Sequence, residues 1–229
     1  MRRENKFVFP ETDLGSVRSS ILISRFLFSE IFTERRVNNI YLDSMTFANL
    51  KDNLNGVQNR IKHRIRWYGD GLDIKKPILE YKIKQGELGY KEYFSLPKFK
   101  FDETFDYDEY LEVIYQHSKG RSPEDAVMYS EIQGEIPTLC NSYLRRYYLS
   151  GDGKYRLTID KDITYKSIGR RFDGSFSFSE DKIVVELKYD DEHVKGVSRI
   201  MQDLGLRVSR NSKYVIGMQG IYFNNFIYN

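Results

Sequence analysis

The sequence predicts a protein of mixed α and β structure in which antiparallel strands dominate and helices flank them. Three observations support this prediction. Six short stretches alternate charged residues with apolar or aromatic ones, as a strand with two different faces does. Aromatic residues, which favour strands, make up 15% of the chain. About eight segments have the length and the β-branched or aromatic content of strands, which is enough for one closed barrel.

The predicted strands are bounded by turn signals or by helical patterns. Turns containing glycine connect two pairs of strands, at Gln85-Gly86-Glu87 and at Ser150-Gly151-Asp152-Gly153. We predict strands at residues 3–9, 36–43, 60–68, 78–84, 88–96, 138–149, 154–160 and 182–189.

Helices are predicted between the strands. Asp13 can cap a helix that we expect to extend to residue 32, because Leu14, Val17, Ile21 and Phe28 fall on one face. Further helices are predicted at residues 45–53, 106–117 and 192–204. Residues 166–181 are rich in glycine, serine and charge, and we expect them to form a mobile loop.

Charge and cysteine content restrict the class of protein. The net charge is only 36 − 33 = +3, but residues 58–100 hold 11 basic against 5 acidic side chains, so basic charge is concentrated on predicted strands. The single cysteine, Cys140, excludes an intrachain disulfide and fits a cytoplasmic location. The N-terminus lacks a signal peptide pattern, and Arg25 and Glu30 interrupt the most apolar stretch, so no transmembrane segment is expected.

The closure of the sheet decides what the charged faces contact. On the strand at residues 60–68, Lys62, Arg64 and Arg66 share one face, while Ile65 and Trp67 share the other. In an open sheet these charges would meet water or bind nucleic acid. In a closed barrel they would line a tunnel suited to a polyphosphorylated anion and its metal ion, because arginine binds phosphate oxygens through two parallel hydrogen bonds.

Glu186 gives the clearest indication of a buried polar site. Glu186 and Lys188 interrupt the apolar strand at residues 182–189, and burial of an unpaired charge is costly. Glu186 therefore requires a metal ion, such as Mg²⁺ or Mn²⁺, or a basic partner. A buried pair with arginine and no metal is the alternative.

In chain order, these motifs resemble the VTC domain, the catalytic domain of the vacuolar transporter chaperone polyphosphate polymerase. That domain belongs to the triphosphate tunnel metalloenzyme superfamily, together with the CYTH-type triphosphatases. The matching motifs are Glu4-x-Lys6, Arg64-x-Arg66, Leu79-Glu80-x-Lys82, Tyr143-x-Arg145, Arg156-x-Thr158-x-Asp160, Glu186-x-Lys188 and Ser212-Lys213-Tyr214. The resemblance covers essentially the whole chain. It implies one domain over residues 1–229, built as an eight-stranded antiparallel closed β-barrel that forms a triphosphate tunnel.

The resemblance also implies an activity and a set of site residues. The activity is transfer of the terminal phosphoryl group of ATP onto inorganic polyphosphate, with Mn²⁺ or Mg²⁺. The implied phosphate ligands are Lys6, Arg64, Arg66, Lys82, Lys91, Tyr143, Arg145, Arg156, Lys188 and Lys213. Four of them are the implied catalytic residues, namely Lys213, Arg64, Arg66 and Arg145. Glu186 is the implied metal ligand, and Glu4 and Asp160 either bind metal or hold the basic residues in place.

The sequence departs from the family pattern at three points. CYTH-type hydrolases begin with Glu-x-Glu-x-Lys, whereas this chain has Arg2-x-Glu4-x-Lys6, which counts against a two-metal triphosphatase. The eukaryotic polymerase carries an SPX domain and often membrane helices, and this sequence shows neither, so membrane association would require a separate membrane-protein partner. No motif for adenine is recognisable, and ATP as the donor is implied by the resemblance alone.

Two other functions remain open on the same scaffold. One is hydrolysis of tripolyphosphate or of nucleoside triphosphates, although the charged faces carry no histidine that could act as a base, and His63 points away from Arg64. The other is non-catalytic binding of polyphosphate. Nucleic acid is not expected as a partner, because a nucleic-acid binder would place its basic residues outside the barrel with exposed stacking aromatics.

Overall fold

The structure is a computed structural model that describes residues 2–119, 121–170 and 175–223. The strands are β1 (Arg2–Pro10), β2 (Ser29–Ser44), β3 (Arg60–Tyr68), β4 (Asp73–Ile74), β5 (Ile78–Gln85), β6 (Leu88–Ser95), β7 (Phe99–Lys100), β8 (Glu135–Leu149), β9 (Tyr155–Lys166), β10 (Ser177–Glu180) and β11 (Lys182–Asp190). The α-helices are α1 (Leu14–Ile23), α2 (Ala48–Leu54), α3 (Tyr107–Ser118), α4 (Pro123–Ile132), α5 (Val194–Asp203) and α6 (Lys213–Met218). Short 3₁₀-helices span Glu11–Asp13 and Asp191–His193, and a π-helix spans Gln219–Phe223.

Eight of the described strands form a closed antiparallel ring, which confirms the predicted fold class. The order around the ring is β9-β11-β1-β6-β5-β3-β2-β8, and pairing of β8 with β9 closes it. The shortest strand pairing in the ring is between β1 and β6, where Arg2 pairs with Gly89. Strand β10 extends β9 outside the ring, and β4 pairs with β7 in a separate two-stranded sheet. Because alternate residues of each ring strand point inward, the ring encloses one interior face.

The outward faces of the ring strands build two apolar cores under the helices. One core lies under α3 and α4 and includes Ile65, Trp67 and Leu79 with Ile114 of α3. The second lies under α1 and α5 and includes Phe7, Leu157, Val185 and Leu187 with Ile21 and Ile200 of the two helices. Since burial of apolar area drives this packing, the apolar side of each strand faces outward and its charged side faces the interior.

A third apolar cluster lies within the ring at one end. Inward residues of β2, β8 and β11 pack there against α6, including Tyr41, Leu139 and Val184 with Tyr214 and Met218 of the helix. The Tyr41 and Tyr214 rings are stacked with their centroids 5.0 Å apart. Helix α6 therefore covers the β2, β8 and β11 side of one end of the interior, and the charged residues lie between it and the opposite end.

Several element boundaries differ from the sequence predictions. Helix α1 ends at Ile23 rather than at residue 32, because the backbone becomes extended at Ser24, with ψ of 141°, and β2 begins at Ser29 after a left-handed Leu27 with φ of 53°. The loop predicted at residues 166–181 is partly strand, since β9 extends to Lys166 and β10 pairs with it, while residues 171–174 of that prediction lie outside the described residues. Helices α4 and α6 were not predicted. In the part of the chain that the structure describes, no helix has both the length and the apolar content that a bilayer crossing requires.

Candidate functional site

Cross-strand register places the predicted site residues on the interior face. Lys6 lies opposite Glu186, Arg64 opposite Glu80, and Lys82 opposite Lys91. The remaining predicted residues occupy equivalent inward positions, namely Glu4, Tyr143, Arg145, Arg156, Asp160 and Lys188. Lys213 comes from α6 rather than from a strand, and it contacts Asp160 in the same interior. The ring therefore brings together residues from both ends of the sequence.

Glu80 holds three of the predicted phosphate ligands together. Its carboxylate is fully buried and forms ion pairs with Arg64, with Arg66 Nη1 at 3.1 Å and with Lys91 Nζ at 2.9 Å. Burial opposes ionisation of Glu80, but the two guanidinium groups hold its pKa well below the usual carboxyl value. Sequence reasoning placed Glu80 on the charged face and gave it no role. The signal available was a carboxylate one strand away from an Arg-x-Arg pair.

Neutral polar groups fix the guanidinium of Arg66. Its Nε donates to Asn39 Oδ1 at 2.8 Å, and Nη2 donates to the Tyr143 hydroxyl at 3.3 Å. Asn39 in turn donates to Asn141 Oδ1 at 2.8 Å. Burial opposes ionisation of Tyr143, but Arg145 and Arg66 lower its pKa below the usual tyrosine value. The arginine is held in one orientation, which favours directional contact with phosphate oxygens.

Asp160 forms a second buried carboxylate centre on the other side of the ring. It is fully buried and accepts both Arg145 Nε at 2.5 Å and Arg145 Nη2 at 2.6 Å. Lys213 Nζ donates to Asp160 Oδ2 at 2.5 Å. Ser212 caps α6 by accepting the Val215 N–H at 3.5 Å, which begins the helix so that Lys213 enters the interior.

Glu186 and Glu4 lie on neighbouring strands and share a lysine. Lys6 Nζ is 3.3 Å from Glu4 Oε1 and 3.4 Å from Glu186 Oε1. Lys188 Nζ donates to Glu186 Oε2 at 2.6 Å, and Arg145 Nη2 lies 3.3 Å from the same oxygen. Burial opposes ionisation of Glu186, but Lys188 and Lys6 hold its pKa well below the usual carboxyl value. The basic partner that the sequence required for Glu186 is therefore present.

The carboxylates of the interior fit a single divalent cation better than a metal site built from three or more protein ligands. Within residues 2–119, 121–170 and 175–223, no three His, Cys, Asp or Glu side chains are grouped as metal ligands. Glu4 and Glu186 are nevertheless close enough for each charge to affect the other, since Glu186 opposes ionisation of Glu4. Mg²⁺ is commonly held by one or two carboxylates together with substrate phosphates and water. These two carboxylates therefore fit a metal that arrives with its phosphates.

The lysines of β3, β5 and β6 carry more positive charge than their carboxylate neighbours neutralise. Lys62 Nζ contacts the Ser212 hydroxyl at 3.3 Å and forms no ion pair with a carboxylate of the described chain. Burial, together with the charges of Lys82 and Lys6, holds the pKa of Lys62 well below its ordinary value. Burial and the charge of Arg64 lower the pKa of Lys91 in the same way. Sequence analysis included Lys62 in the charged pattern but did not assign it to phosphate.

Two predictions about orientation have different outcomes. Arg156 is inward by register, opposite Lys188, but its side chain is exposed and contacts none of the other predicted ligands. His63 points outward as predicted. Its Nδ1 lies 2.9 Å from Glu135 Oε2, and its ring packs on Tyr81 with centroids 4.2 Å apart. His63 therefore belongs to the outer core and not to the interior site.

Comparison with known proteins places this geometry in a family. The model of the VTC domain family matches residues 1–222. A search of curated proteins finds no match. Three solved structures share the fold. The PH1819 protein from Pyrococcus horikoshii OT3 has a TM-score of 0.53 and 13% identity, with 96% of this chain and 99% of that chain covered.

The other two solved structures are described as putative cyclases. One is a putative adenylate cyclase from Vibrio parahaemolyticus, with a TM-score of 0.50, 11% identity and coverage of 93% of this chain and 97% of that chain. The other is a putative adenylyl cyclase from Hippeastrum, with a TM-score of 0.50, 17% identity and 96% coverage of each chain. The description of the Hippeastrum protein reports a dominant triphosphatase activity.

Proposed function

Because the chain belongs to the VTC domain family, we propose that it is a metal-dependent phosphotransferase that extends inorganic polyphosphate with the terminal phosphoryl group of ATP. The observation that carries the proposal is the surplus of cations inside the ring. The nine basic residues among the predicted phosphate ligands, together with Lys62, make ten inward cations, against the four carboxylates of Glu4, Glu80, Asp160 and Glu186; Arg35, Arg60 and Lys84 are inward by register as well. The ten are Lys6, Lys62, Arg64, Arg66, Lys82, Lys91, Arg145, Arg156, Lys188 and Lys213.

The chemistry of phosphoryl transfer suits this interior. Transfer requires alignment of the reacting phosphates and stabilisation of their charge, with little covalent help from the protein. Arg64 and Arg66 are fixed by Glu80, and Arg145 and Lys213 are fixed by Asp160. These four cations would contact the reacting phosphates, and their fixed positions mean that little reorganisation accompanies the reaction.

Mn²⁺ or Mg²⁺ would be held by Glu186 and Glu4, and it would neutralise charge on adjacent phosphate groups. Asp160 fits a positioning role better, because Arg145 and Lys213 donate to its two oxygens at 2.5 to 2.6 Å, whereas Glu186 Oε1 has Lys6 Nζ at the longer distance of 3.4 Å. The remaining interior cations would bind phosphates of the donor or of the chain.

A row of lysines beyond Arg64 favours a long phosphate chain over a triphosphate alone. Lys62 lies opposite Lys82, which lies opposite Lys91, and Arg60 lies opposite Lys84 on the next inward row. This row continues the basic surface from the buried centre toward the α6 end of the ring. The terminal phosphate of an acceptor chain is ionised at neutral pH, so chain extension needs no strong general base.

Hydrolysis of tripolyphosphate or of nucleoside triphosphates is the second candidate. It is favoured by Tyr143, a buried interior hydroxyl beside Arg66, which could orient a water molecule. The fold is also compatible, since the Hippeastrum protein described as a triphosphatase shares it.

The deciding experiment incubates the purified protein with ATP and Mn²⁺, and in parallel with tripolyphosphate and Mn²⁺. Gel electrophoresis separates phosphate chains by length, and a colorimetric assay measures free phosphate. Long chains together with ADP are expected, and Glu186→Gln should remove them. Glu92→Gln is the matched control, because Glu92 is an exposed outward residue of β6. Free phosphate without chains would contradict polymerisation and support hydrolysis.

A further inference from the structure

An aromatic rim surrounds a guanidinium at the end of the interior opposite α6. We define the rim as Phe32, Arg35, Tyr68, Tyr93 and Tyr147. The Arg35 guanidinium carbon lies 4.9 Å from the ring centroid of Phe32, 5.1 Å from that of Tyr68 and 4.8 Å from that of Tyr147. The Phe32 and Tyr147 rings meet edge to face at 5.7 Å. Three ring faces are thus oriented around one planar cation.

Within the described residues, the protein leaves part of the rim without polar partners and exposed to solvent. Arg35 forms no ion pair with a carboxylate in the described part of the chain, and its Nε is buried without a hydrogen-bond partner. The rings remain open to solvent, with 53% of Phe32, 48% of Tyr68 and 57% of Tyr93 exposed. Exposed aromatic rings around a guanidinium that has no carboxylate partner in the described residues form a surface that can accept another flat ring system.

The rim adjoins the phosphate ligands directly. Tyr68 is the next inward residue of β3 after Arg66, Arg35 pairs with Arg145, and Tyr93 pairs with Glu80. Lys62 lies at the other end of the inward face of β3, six residues from Tyr68, which corresponds to about 20 Å along an extended strand. A phosphate chain on Arg66 and Arg145 therefore has the rim on one side and the lysine row on the other.

We propose that the aromatic rim is a nucleobase-stacking subsite, in which Tyr68 and the neighbouring rings bind the base of the donor nucleotide. This inference rests on the proposed function. The base would stack on the rim, with the phosphate nearest the ribose beside it. The terminal phosphate would then reach Arg66 and Arg145, and the acceptor chain would approach from Lys62 and Lys82. The rim offers ring faces rather than amide groups that could distinguish base edges, so ATP and GTP should bind with similar affinity.

Calorimetry on the full chain tests the subsite, with metal omitted so that neither ligand is consumed. Affinities are measured for ATP and for tripolyphosphate with the wild type, Tyr68→Ala, Tyr68→Phe and the control Tyr90→Ala. Tyr90 is an exposed aromatic residue on the outward face of β6. Stacking of one base corresponds to about tenfold in affinity. We expect Tyr68→Ala to lower the affinity for ATP by about tenfold and the affinity for tripolyphosphate by less than twofold. Tyr68→Phe and Tyr90→Ala should have the affinities of the wild type.

The possible results distinguish failure of the stacking subsite from failure of the proposed function. If Tyr68→Ala lowers the affinities for ATP and tripolyphosphate equally, or lowers neither, the rim does not bind the base. The inference is then overturned, while the proposed phosphate site is not. If the wild type binds neither ligand, the proposed function fails and the inference fails with it. A loss confined to ATP supports both.

Discussion

Glu80 and Lys62 lie on neighbouring strands, β5 and β3, yet their charges have very different surroundings. Glu80 is surrounded by three cations, whereas Lys62 contacts a serine hydroxyl and faces other cations. The first arrangement stabilises the ligand-free fold. The second is unfavourable until an anion arrives, so Lys62 is a residue retained for binding rather than for stability.

Replacement of Lys62 should therefore stabilise the protein and lower its affinity for phosphate ligands. We expect Lys62→Met to raise the unfolding free energy by about 1 kcal/mol, because it removes a buried cation that faces like charges. That change corresponds to about 2–4 °C in melting temperature. Tripolyphosphate should bind about tenfold more weakly, since one charge-assisted hydrogen bond is lost. Scanning calorimetry with and without tripolyphosphate measures both effects.

Lys75→Met is the matched control for this prediction, because Lys75 is exposed. It should change neither the melting temperature nor the affinity. A Lys62→Met protein that is less stable and binds tripolyphosphate normally would show that Lys62 is a structural residue.

Removal of the arginine pair should destabilise the fold as well as abolish turnover. Arg64→Ala with Arg66→Ala removes two of the three ion-pair partners of the buried Glu80 carboxylate and leaves Lys91, and loss of a partner from a buried ion pair costs about 3–5 kcal/mol. Further replacement of Glu80 by Gln should restore part of that loss without restoring turnover. Urea unfolding of the double and triple variants measures the free energies, and no rescue by Glu80→Gln would refute the pairing described for Glu80.

At the scale of elements, α6 links the ring wall to the site. The Tyr214 hydroxyl donates to Asp43 Oδ2 at 2.6 Å, and Asp43 also accepts backbone N–H groups of Asn49 and Leu50 in α2. The residue before Tyr214 is Lys213, which donates a hydrogen bond to Asp160. Docking of this six-residue helix therefore sets the position of one predicted catalytic group.

Loss of the Tyr214 hydroxyl should loosen α6. We expect Tyr214→Phe to cost about 1–2 kcal/mol of unfolding free energy, because the buried Asp43 carboxylate loses a donor. Turnover should fall by more than substrate affinity, since Lys213 is one of several phosphate ligands but is aligned by this helix. Steady-state kinetics with urea unfolding tests this, and Tyr90→Phe, on the outer surface, should leave both quantities unchanged.

The strands could be predicted from the sequence because the side-chain period of two is visible in the charges. Arg64, Arg66 and Glu186 were placed on the correct faces by alternation alone. The helix predicted to residue 32 was too long, since the apolar spacing continues to Phe28 although the backbone leaves the helix at Ser24. Helix α4 was missed despite its signals, a Ser122 cap followed by Pro123 at the first helical position. The contacts of Glu80 could not be predicted, because they depend on strand order.

At the scale of the whole molecule, the lysines make binding dependent on pH. The pKa values of Lys62, Lys82 and Lys91 are lowered in the ligand-free protein, and phosphate would raise them again. Between the lowered and the restored pKa, binding takes up protons, so the affinity for tripolyphosphate should fall as pH rises toward the ordinary lysine value of 10.5.

Calorimetric titrations in two buffers of different ionisation enthalpy would measure this proton uptake. Lys62→Met should reduce the number of protons taken up, and Lys75→Met should not. Affinity that rises with pH would contradict the predicted linkage.

If the interior of the ring binds a phosphate chain, a crystal structure of the protein with tripolyphosphate and Mn²⁺ will show it. We expect phosphates between Arg64, Arg66 and Arg145, Mn²⁺ beside Glu186 and Glu4, and new salt bridges from Lys62 or Lys82 to phosphate. Tripolyphosphate bound on the outer surface, with the interior ion pairs of Glu80 and Asp160 unchanged and no phosphate beside them, would rule out binding in the interior.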